Sequence, residues 1–156
     1  MELRPRETVA AAKTRVQPWL DSIPLPAGTR LALMELDDHD PDTGRTTILG
    51  LRTVLLRGPA IVGTGDVSQA LAEQIEGNDF LSITLTPDAA RRFEEATAEW
   101  QKRRIAILID GAVDSAPVVL SKISRGKIRL TPGANPEERR ALVARLADRL
   151  THPAAK

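Results

Sequence analysis

Side chains that could perform catalysis or bind a metal are few and scattered in this chain of 156 residues. Cysteine is absent, and the only two histidines are His39 and His152. The lack of cysteine excludes a disulfide scaffold, a thiolate zinc site and a cysteine nucleophile. Two histidines so far apart along the chain also exclude a multi-histidine metal centre. These counts predict a protein without a catalytic set, a metal site or a cofactor.

An acidic run at residues 37–42 is the most metal-like feature of the sequence. Its alternating aspartates imitate the start of an EF-hand loop. The remainder of that motif is missing, because Thr43 stands where glycine is required and Leu49 where the bidentate glutamate belongs. The run therefore predicts a solvated loop between two strands.

Two further segments have both a catalytic and a structural interpretation. Asp110 could supply a catalytic carboxylate, but with Gly111 it is typical of the two-residue turn of a β-hairpin. Ser115, which precedes Ala116 and Pro117, could supply a nucleophile, but serine without a nearby base is inert. We favour a hairpin turn at the first segment and a bent strand at the second.

The main candidate for a binding site is a group of four cations in a stretch, residues 115–136, that contains no acid. The four are Lys122, Arg125, Lys127 and Arg129. Two of them, at 127 and 129, fall on one strand face because strand side chains alternate. Such a strip favours an acidic or phosphate-bearing partner. The alternative is an exposed strand whose charge prevents edge-to-edge pairing.

The overall charge balance limits the class of partner. Lysine and arginine total 22 and aspartate and glutamate total 21, which gives a net charge of +1. Because no long-range field of one sign results, binding to nucleic acid or to an anionic membrane is not expected. The longest aliphatic runs, such as residues 105–109, fall far short of the roughly 20 residues of a membrane helix. Residues 1–20 lack the apolar core of a signal peptide.

Three longer helices are predicted to frame these segments. The first covers residues 6–20, with its last turn broken or kinked at Pro18, and an extended linker follows to residue 28. The second begins at Thr86 and Pro87, a cap followed by proline at the first helical position, and ends near residue 101. The third begins after Asn135.

The strands are predicted from alternation, apolar runs and turn residues. They cover residues 29–36, 46–57, 81–85, 105–109, 112–123 with a bend at Pro117, and 128–130. The continuous apolar run at 105–109 is typical of a central strand. A capping-box-like pattern at Asp66 and Gln69 predicts a short helix or turn that continues to about residue 75.

Together these elements predict an α+β fold, a mostly antiparallel sheet with helices packed on one face. Residues 29–150 are predicted to form one domain, after an N-terminal helix and linker at 1–28 and before a tail at 151–156. The apolar faces of the elements predict the residues of the core. They are Leu81, Ile83, Leu85, Phe93, Trp100, Ile105, Ile107, Ile109, Val118, Ile123, Leu142 and Leu146.

One set of residues in the second half of the chain forms a recognisable succession. The set comprises Thr86, Pro87, Phe93, Thr97, Asp110, Gly111, Ala116, Pro117 and Gly126. In this order and at these separations they resemble the head subdomain of the first periplasmic domain of the SecD/SecDF protein-export family. The resemblance covers residues 59–150.

The resemblance implies a SecD-head-like fold and a capacity to contact polypeptide or an envelope protein. It also implies an extracytoplasmic location, periplasmic or lipoprotein-anchored, whereas a native start at Met1 would imply the cytoplasm. Proton-driven export does not carry over, because the membrane helices that perform it have no counterpart here. Glycines usual in the family are replaced near Lys102 and at Arg125, and another is displaced to Gly133.

The function predicted from these observations is a non-enzymatic binding module for a protein or polypeptide partner. The alternative is a self-associating structural or scaffold protein, a homo-oligomer that pairs sheet edges along the strand after Pro117. A small enzyme or metal protein is disfavoured by the missing side chains.

Overall fold

The structure is a computed structural model that describes residues 7–40, 42–43, 45–133 and 135–152, without the side chain of His39. Its elements in chain order are α1 Val9–Asp21, β1 Thr29–His39, β2 Thr46–Arg57, β3 Val67–Ile75, β4 Asn78–Leu85, α2 Pro87–Glu99, β5 Ile107–Ile109, β6 Ala112–Ser115, β7 Lys127–Leu130 and α3 Pro136–Thr151. The predicted helix start at residue 6, two loop positions at 41 and 44, and the tail from 153 lie outside the described residues.

The chain forms two compact units. One consists of the chain up to Pro59 together with Ala106–Ala116, and the other of Ala60–Ile105 together with the chain from Pro117 onward. Each unit contains its own sheet. A single domain over residues 29–150 stays a prediction.

The first unit is a four-stranded sheet in the order β2-β1-β6-β5. Strands β1 and β2 form the predicted antiparallel hairpin, and β1 runs parallel to β6. Helix α1 begins at Thr8, whose side chain accepts the Ala11 N–H at 3.2 Å, and continues through Pro18, where a broken or kinked last turn was predicted. It buries Val16 and Leu20 against the sheet residues Leu33 and Leu51, because apolar residues recur on one of its faces.

The prediction of a central strand at residues 105–109 is wrong. Strand β5 has three residues and lies at the edge of its sheet. Its middle residue, Leu108, is exposed whereas Ile107 and Ile109 are half-buried. The apolar run therefore reflects an edge strand with one solvent-facing leucine, a pattern that a run of aliphatic residues does not distinguish from a buried strand.

The second unit contains a three-stranded antiparallel sheet in the order β3-β4-β7. The prediction of a short helix or turn from Asp66 to about residue 75 is wrong. A single 3-10 turn at Thr64–Asp66 leads directly into strand β3, which pairs with β4 along its whole length. Pairing with a neighbouring strand overrides the weak helical preference of this alanine- and glutamine-containing segment.

Helices α2 and α3 cover one face of this second sheet. Helix α2 begins as predicted: Thr86 accepts the Ala89 N–H at 3.4 Å and Pro87 occupies the first turn. Helix α3 begins at Asn135, whose side chain accepts the Glu137 N–H at 3.0 Å. The predicted starts of both helices are confirmed.

The predicted core is confirmed in its centre and wrong at one position. Leu81, Leu85, Phe93 and Leu146 are buried. The half-buried members of the predicted set are Ile83, Trp100, Ile105, Ile107, Ile109, Ile123 and Leu142. Val118 is 40% exposed, whereas its neighbour Val119 is 7% exposed and takes the inward position. Residues 116–126 form no strand, only an isolated bridge between Val118 and Arg104, so strand alternation does not decide which of the two valines points inward.

The α+β class is confirmed, with mostly antiparallel pairing and with helices on one face of the β3-β4-β7 sheet. The structure divides the strands between two sheets where one was predicted. Within the residues that the structure describes, no helix has the length and apolar character needed to cross a membrane.

Candidate binding site

Two of the four predicted cations project from the sheet face that neither α2 nor α3 covers. In the β4–β7 pairing, Lys127 lies opposite Thr84 and Arg129 opposite Ser82. The alternate residues of β4, Ile83 and Leu81, lie on the other face of the sheet, toward α2 and α3. The prediction that Lys127 and Arg129 share one strand face is therefore confirmed.

We call the uncovered side of this sheet the open face. Alternation and register assign its side chains. They are Gln69, Leu71, Glu73 and Ile75 on β3, Phe80, Ser82 and Thr84 on β4, and Lys127 and Arg129 on β7. Two aliphatic members are solvent-exposed, Leu71 at 47% and Ile75 at 38%. The open face thus combines accessible apolar surface with cations along one edge.

Arg129 reaches across the open face instead of extending from its edge. Its guanidinium lies 5.6 Å from the centroid of the Phe80 ring and 3.8 Å from the Glu73 carboxylate on the far strand. The Ser82 hydroxyl donates to the same carboxylate. These contacts place the guanidinium of Arg129 over the middle strand and partly offset its charge.

Lys122 does not belong to the same surface. Its ammonium lies 2.9 Å from the Glu94 carboxylate of α2, on the helix-covered side. Among the described residues, 116–126 contain no strand and β7 pairs with β4, so the four cations do not form one strip. The stretch lacks acids along the chain, but folding brings Glu94 to Lys122 and Glu73 to Arg129.

Arg125 and Gly126 form the turn that leads into β7, and both have positive φ, 69° and 59°. A Cβ atom on Gly126 would lie 2.5 Å from Ala90 Cβ, so only glycine fits between this turn and α2. Arg125 occupies a conformation that L-residues adopt at a cost of roughly 1–2 kcal/mol. Neither Arg125 nor Lys127 makes an ion pair within the described part of the chain.

A buried threonine fixes the segment before this turn to α2. The Thr97 side chain is fully buried, its hydroxyl donates to the Phe93 carbonyl at 2.8 Å, and it accepts the Ile123 N–H at 3.0 Å. Thr97 had been identified only through the family resemblance. A polar residue on the apolar stripe of a predicted helix is a signal for such a buried anchor, but its partner lies 26 positions away.

The other predicted sites have structural roles in the described residues. Asp110 and Gly111 have φ of 50° and 82° between the paired residues Ile109 and Ala112, which confirms the hairpin turn. In the acidic loop, Asp40 accepts the Asp42 N–H at 2.9 Å and the Thr43 hydroxyl at 2.7 Å. Ala116 and Pro117 follow the last residue of β6, Ser115. The absence of a catalytic, metal or cofactor site stays a prediction.

Asp66 links the start of β3 to α2. Its carboxylate accepts a hydrogen bond from Arg92 at 2.7 Å and one from the Gly63 N–H at 2.9 Å. The Arg92 hydrogen bond, followed by that of Gly63, holds the pKa of Asp66 below its usual value. Because the folded-state pKa is lowered, the stabilisation is present at neutral pH and is lost as the pH falls through the folded pKa.

We therefore expect Asp66→Asn to destabilise the chain at neutral pH and to matter progressively less below about pH 4. Urea unfolding of both proteins between neutral and acidic pH measures the difference in free energy. Arg91→Gln is the control, because Arg91 pairs with Glu95 on the exposed helix surface and does not touch Asp66. If the free energies of unfolding of Asp66→Asn and the unsubstituted chain differed by the same amount at every pH, the lowered pKa of Asp66 would be contradicted.

The second unit is therefore an α+β structure. Its sheet is covered by α2 and α3 on one face, and the open face carries cations along one edge. Comparison of sequences identifies the family. The family described as "SecDF, P1 head subdomain" matches residues 34–148. The chain belongs to this family, and the match begins earlier than the resemblance over residues 59–150.

The curated relatives are bacterial protein translocase subunits. The SecDF subunit of Thermus thermophilus is 38% identical over 72 residues, which cover 45% of this chain and 10% of that protein. The SecD subunit of Anaeromyxobacter dehalogenans is 34% identical over 95 residues, 56% of this chain and 15% of that protein. The chain thus spans a small part of the length of these relatives.

Among solved structures, the crystal structure of SecDF in its super-membrane-facing form resembles this chain. The sequence identity is 35%, the match covers 57% of this chain and 12% of that one, and the TM-score is 0.49.

Proposed function

We propose that this chain is a non-enzymatic binding module that contacts polypeptide or an envelope protein during protein export, on the extracytoplasmic side of the membrane. The observation that carries the proposal is the open face of the β3-β4-β7 sheet. It offers exposed Leu71 and Ile75 beside the cations Lys127 and Arg129. Membership of a protein translocase family supports the polypeptide as partner.

The conformation of Arg125 supports the assignment of the strip. Its positive φ of 69° would suit glycine, and the resemblance to the family places a glycine in this turn. A side chain held in a strained conformation directly before the cation-bearing strand β7 supports a role of that side chain outside folding. The proposed contact residues are therefore Arg125, Lys127 and Arg129, with Lys122 at a separate position on the helix side.

The test variant combines Arg125→Gly with Lys127→Gln. Because glycine relieves the positive φ, we expect the first change to stabilise the chain by about 1 kcal/mol. Loss of two unpaired cations should nevertheless slow association with an acidic polypeptide several-fold at low salt and reduce its salt dependence. Because the variant is expected to be more stable than the unsubstituted chain, slower association with the polypeptide could not be explained by unfolding of the variant.

The probe is reduced, carboxymethylated α-lactalbumin, an acidic polypeptide that cannot fold. Stopped-flow fluorescence at two ionic strengths measures the association rate. Lys102→Gly combined with Arg103→Gln is the matched control, since Lys102 also has positive φ, 65°, and the two changes remove two exposed cations outside the strip. Equal rates for the double variant and the control would contradict the proposal, as would a complete lack of binding by the unsubstituted chain. An oligomer whose size in light scattering does not depend on concentration would instead favour a self-associating scaffold.

A further inference from the structure

The backbone of β7 has an unused edge. The Leu85 N–H donates to the Gly126 carbonyl at 2.8 Å, so this pair is hydrogen-bonded. Hydrogen-bonded and non-hydrogen-bonded pairs alternate along an antiparallel ladder. The pairs of Ile83 with Ile128 and of Leu81 with Leu130 are therefore hydrogen-bonded, and those of Lys127 and Arg129 are not.

It follows that the backbone N–H and C=O groups of Lys127 and Arg129 point away from β4. Strand β7 is the last strand of its sheet. Within the described residues, no hydrogen bond from another element reaches these four groups. They present two donors and two acceptors with the spacing of a β-strand.

The opposite edge of the sheet provides a contrast. On β3 the same alternation turns the backbone groups of Ala70 and Ala72 outward. The Ala70 carbonyl accepts a hydrogen bond from the Thr151 hydroxyl of α3 at 3.3 Å. The end of α3 therefore occupies part of the β3 edge, while no hydrogen bond from the described part of the chain occupies the β7 edge.

Charged side chains on an edge strand commonly prevent pairing with another chain. Arg129 is not placed for that role, because its guanidinium turns inward over Phe80 toward Glu73. Lys127, which has no ion pair among the described residues, remains beside the edge. The strand thus keeps its backbone uncovered and offers one unpaired cation next to it.

We infer that the β7 edge binds its polypeptide partner as an added β-strand, and that the partner is an extended segment with acidic residues at alternate positions. Backbone hydrogen bonds to Lys127 and Arg129 would supply affinity in this mode. Alternate side chains of the added strand fall on the open face, where an acidic residue meets Lys127. This inference rests on the proposed function and specifies how the contact is made.

The experiment separates backbone from charge at one position. Arg129→Ala removes the cation and keeps the outward N–H, whereas Arg129→Pro removes both. Proline is tolerated in an edge strand where its nitrogen faces solvent, and the preceding Ile128 is already extended. Ala72→Pro is the matched control at the other edge, where the same alternation also directs the N–H outward.

The probe is a short fluorescent peptide in which glutamate alternates with valine and threonine, and anisotropy measures its affinity for the full chain. We expect Arg129→Pro to bind about tenfold more weakly than Arg129→Ala, the loss of one to two hydrogen bonds. Ala72→Pro should bind like the unsubstituted chain. Circular dichroism checks that each variant folds.

A second measurement avoids substitution of the protein. A peptide methylated on the backbone nitrogens that face β7 keeps its charge and should lose binding to the same extent. Amide exchange at Lys127 and Arg129 should slow on binding of the unmodified peptide, whereas that of Ile128, already in the ladder, should change little.

Equal affinities of the proline and alanine variants, or of the methylated and unmodified peptides, would overturn strand addition. If these variants and the unsubstituted chain still bind unfolded α-lactalbumin, the proposed function is retained and only strand addition is rejected. Failure of the unsubstituted chain to bind the alternating peptide would also overturn the inference.

Discussion

Replacement of Phe93 by alanine is expected to lower the free energy of unfolding by about 3–5 kcal/mol. Phe93 is 7% exposed and packs with Leu85 and Ala89 at the centre of the cluster beneath α2. Around them lie half-buried aliphatic residues from several elements, so the cavity left by the ring cannot close through movement of one side chain. Urea or thermal unfolding measures the change.

Leu71→Ala is the control for this prediction. Leu71 is 47% exposed on the open face of the same sheet, and its truncation should change the free energy by no more than about 0.5 kcal/mol. A cost below roughly 1 kcal/mol for Phe93→Ala would show that α2 does not pack on the sheet through this face.

Gly126→Ala should destabilise the chain by roughly 2–5 kcal/mol, since two costs add. The first is the positive φ of 59°, and the second is the contact of 2.5 Å between the new methyl group and Ala90 Cβ. Because the α-carbon of Ala90 lies 3.3 Å from the same point, α2 itself would have to move.

Gly77→Ala separates the two costs. Gly77 also has positive φ, 81°, but no atom lies within 4 Å of its added Cβ. Its substitution should cost only the conformational part, about 1–2 kcal/mol. Equal losses for the two glycines would mean that the turn before β7 does not approach α2 as closely as described.

The sequence predicted the elements whose signals are local. The starts of α2 and α3 follow from a capping side chain and a proline within three residues, at Thr86 and Asn135. The hairpin turn at Asp110 and Gly111 requires two residues that tolerate positive φ, and such pairs are rare enough to be recognised.

The errors occur where distant parts of the chain decide the structure. The segment from Val67 to Ile75 is a strand because β4 pairs with it, although its composition is equally compatible with a helix. The edge position of β5 depends on which strands join its sheet, and an apolar run carries no information about neighbours.

The sequence predicted the part of the candidate site that depends on local alternation and missed the part that depends on distant contacts. Alternation was sufficient to place Lys127 and Arg129 on one face. The ion pairs that remove Lys122 to the helix side and turn Arg129 inward involve Glu94 and Glu73. Their positions relative to the cations depend on helix packing and strand order, which no local pattern in the sequence specifies.

The replacement of a family glycine by Arg125 was visible in the sequence itself. It appeared in the sequence as a departure from the family's pattern, and the structure gives it a physical cost, a positive φ on a residue with a side chain. Because Lys102 shares the positive φ, the feature that distinguishes Arg125 is its place beside Lys127 at the start of β7.

The most direct test of a binding role for the open face is a map of amide chemical shifts in the isotopically labelled chain as unfolded α-lactalbumin is added. The account predicts that the largest changes occur at Arg125, Lys127 and Arg129 and extend to the open-face residues of β4. Changes confined to α1, β1 and β2, or none at saturating polypeptide, would contradict it.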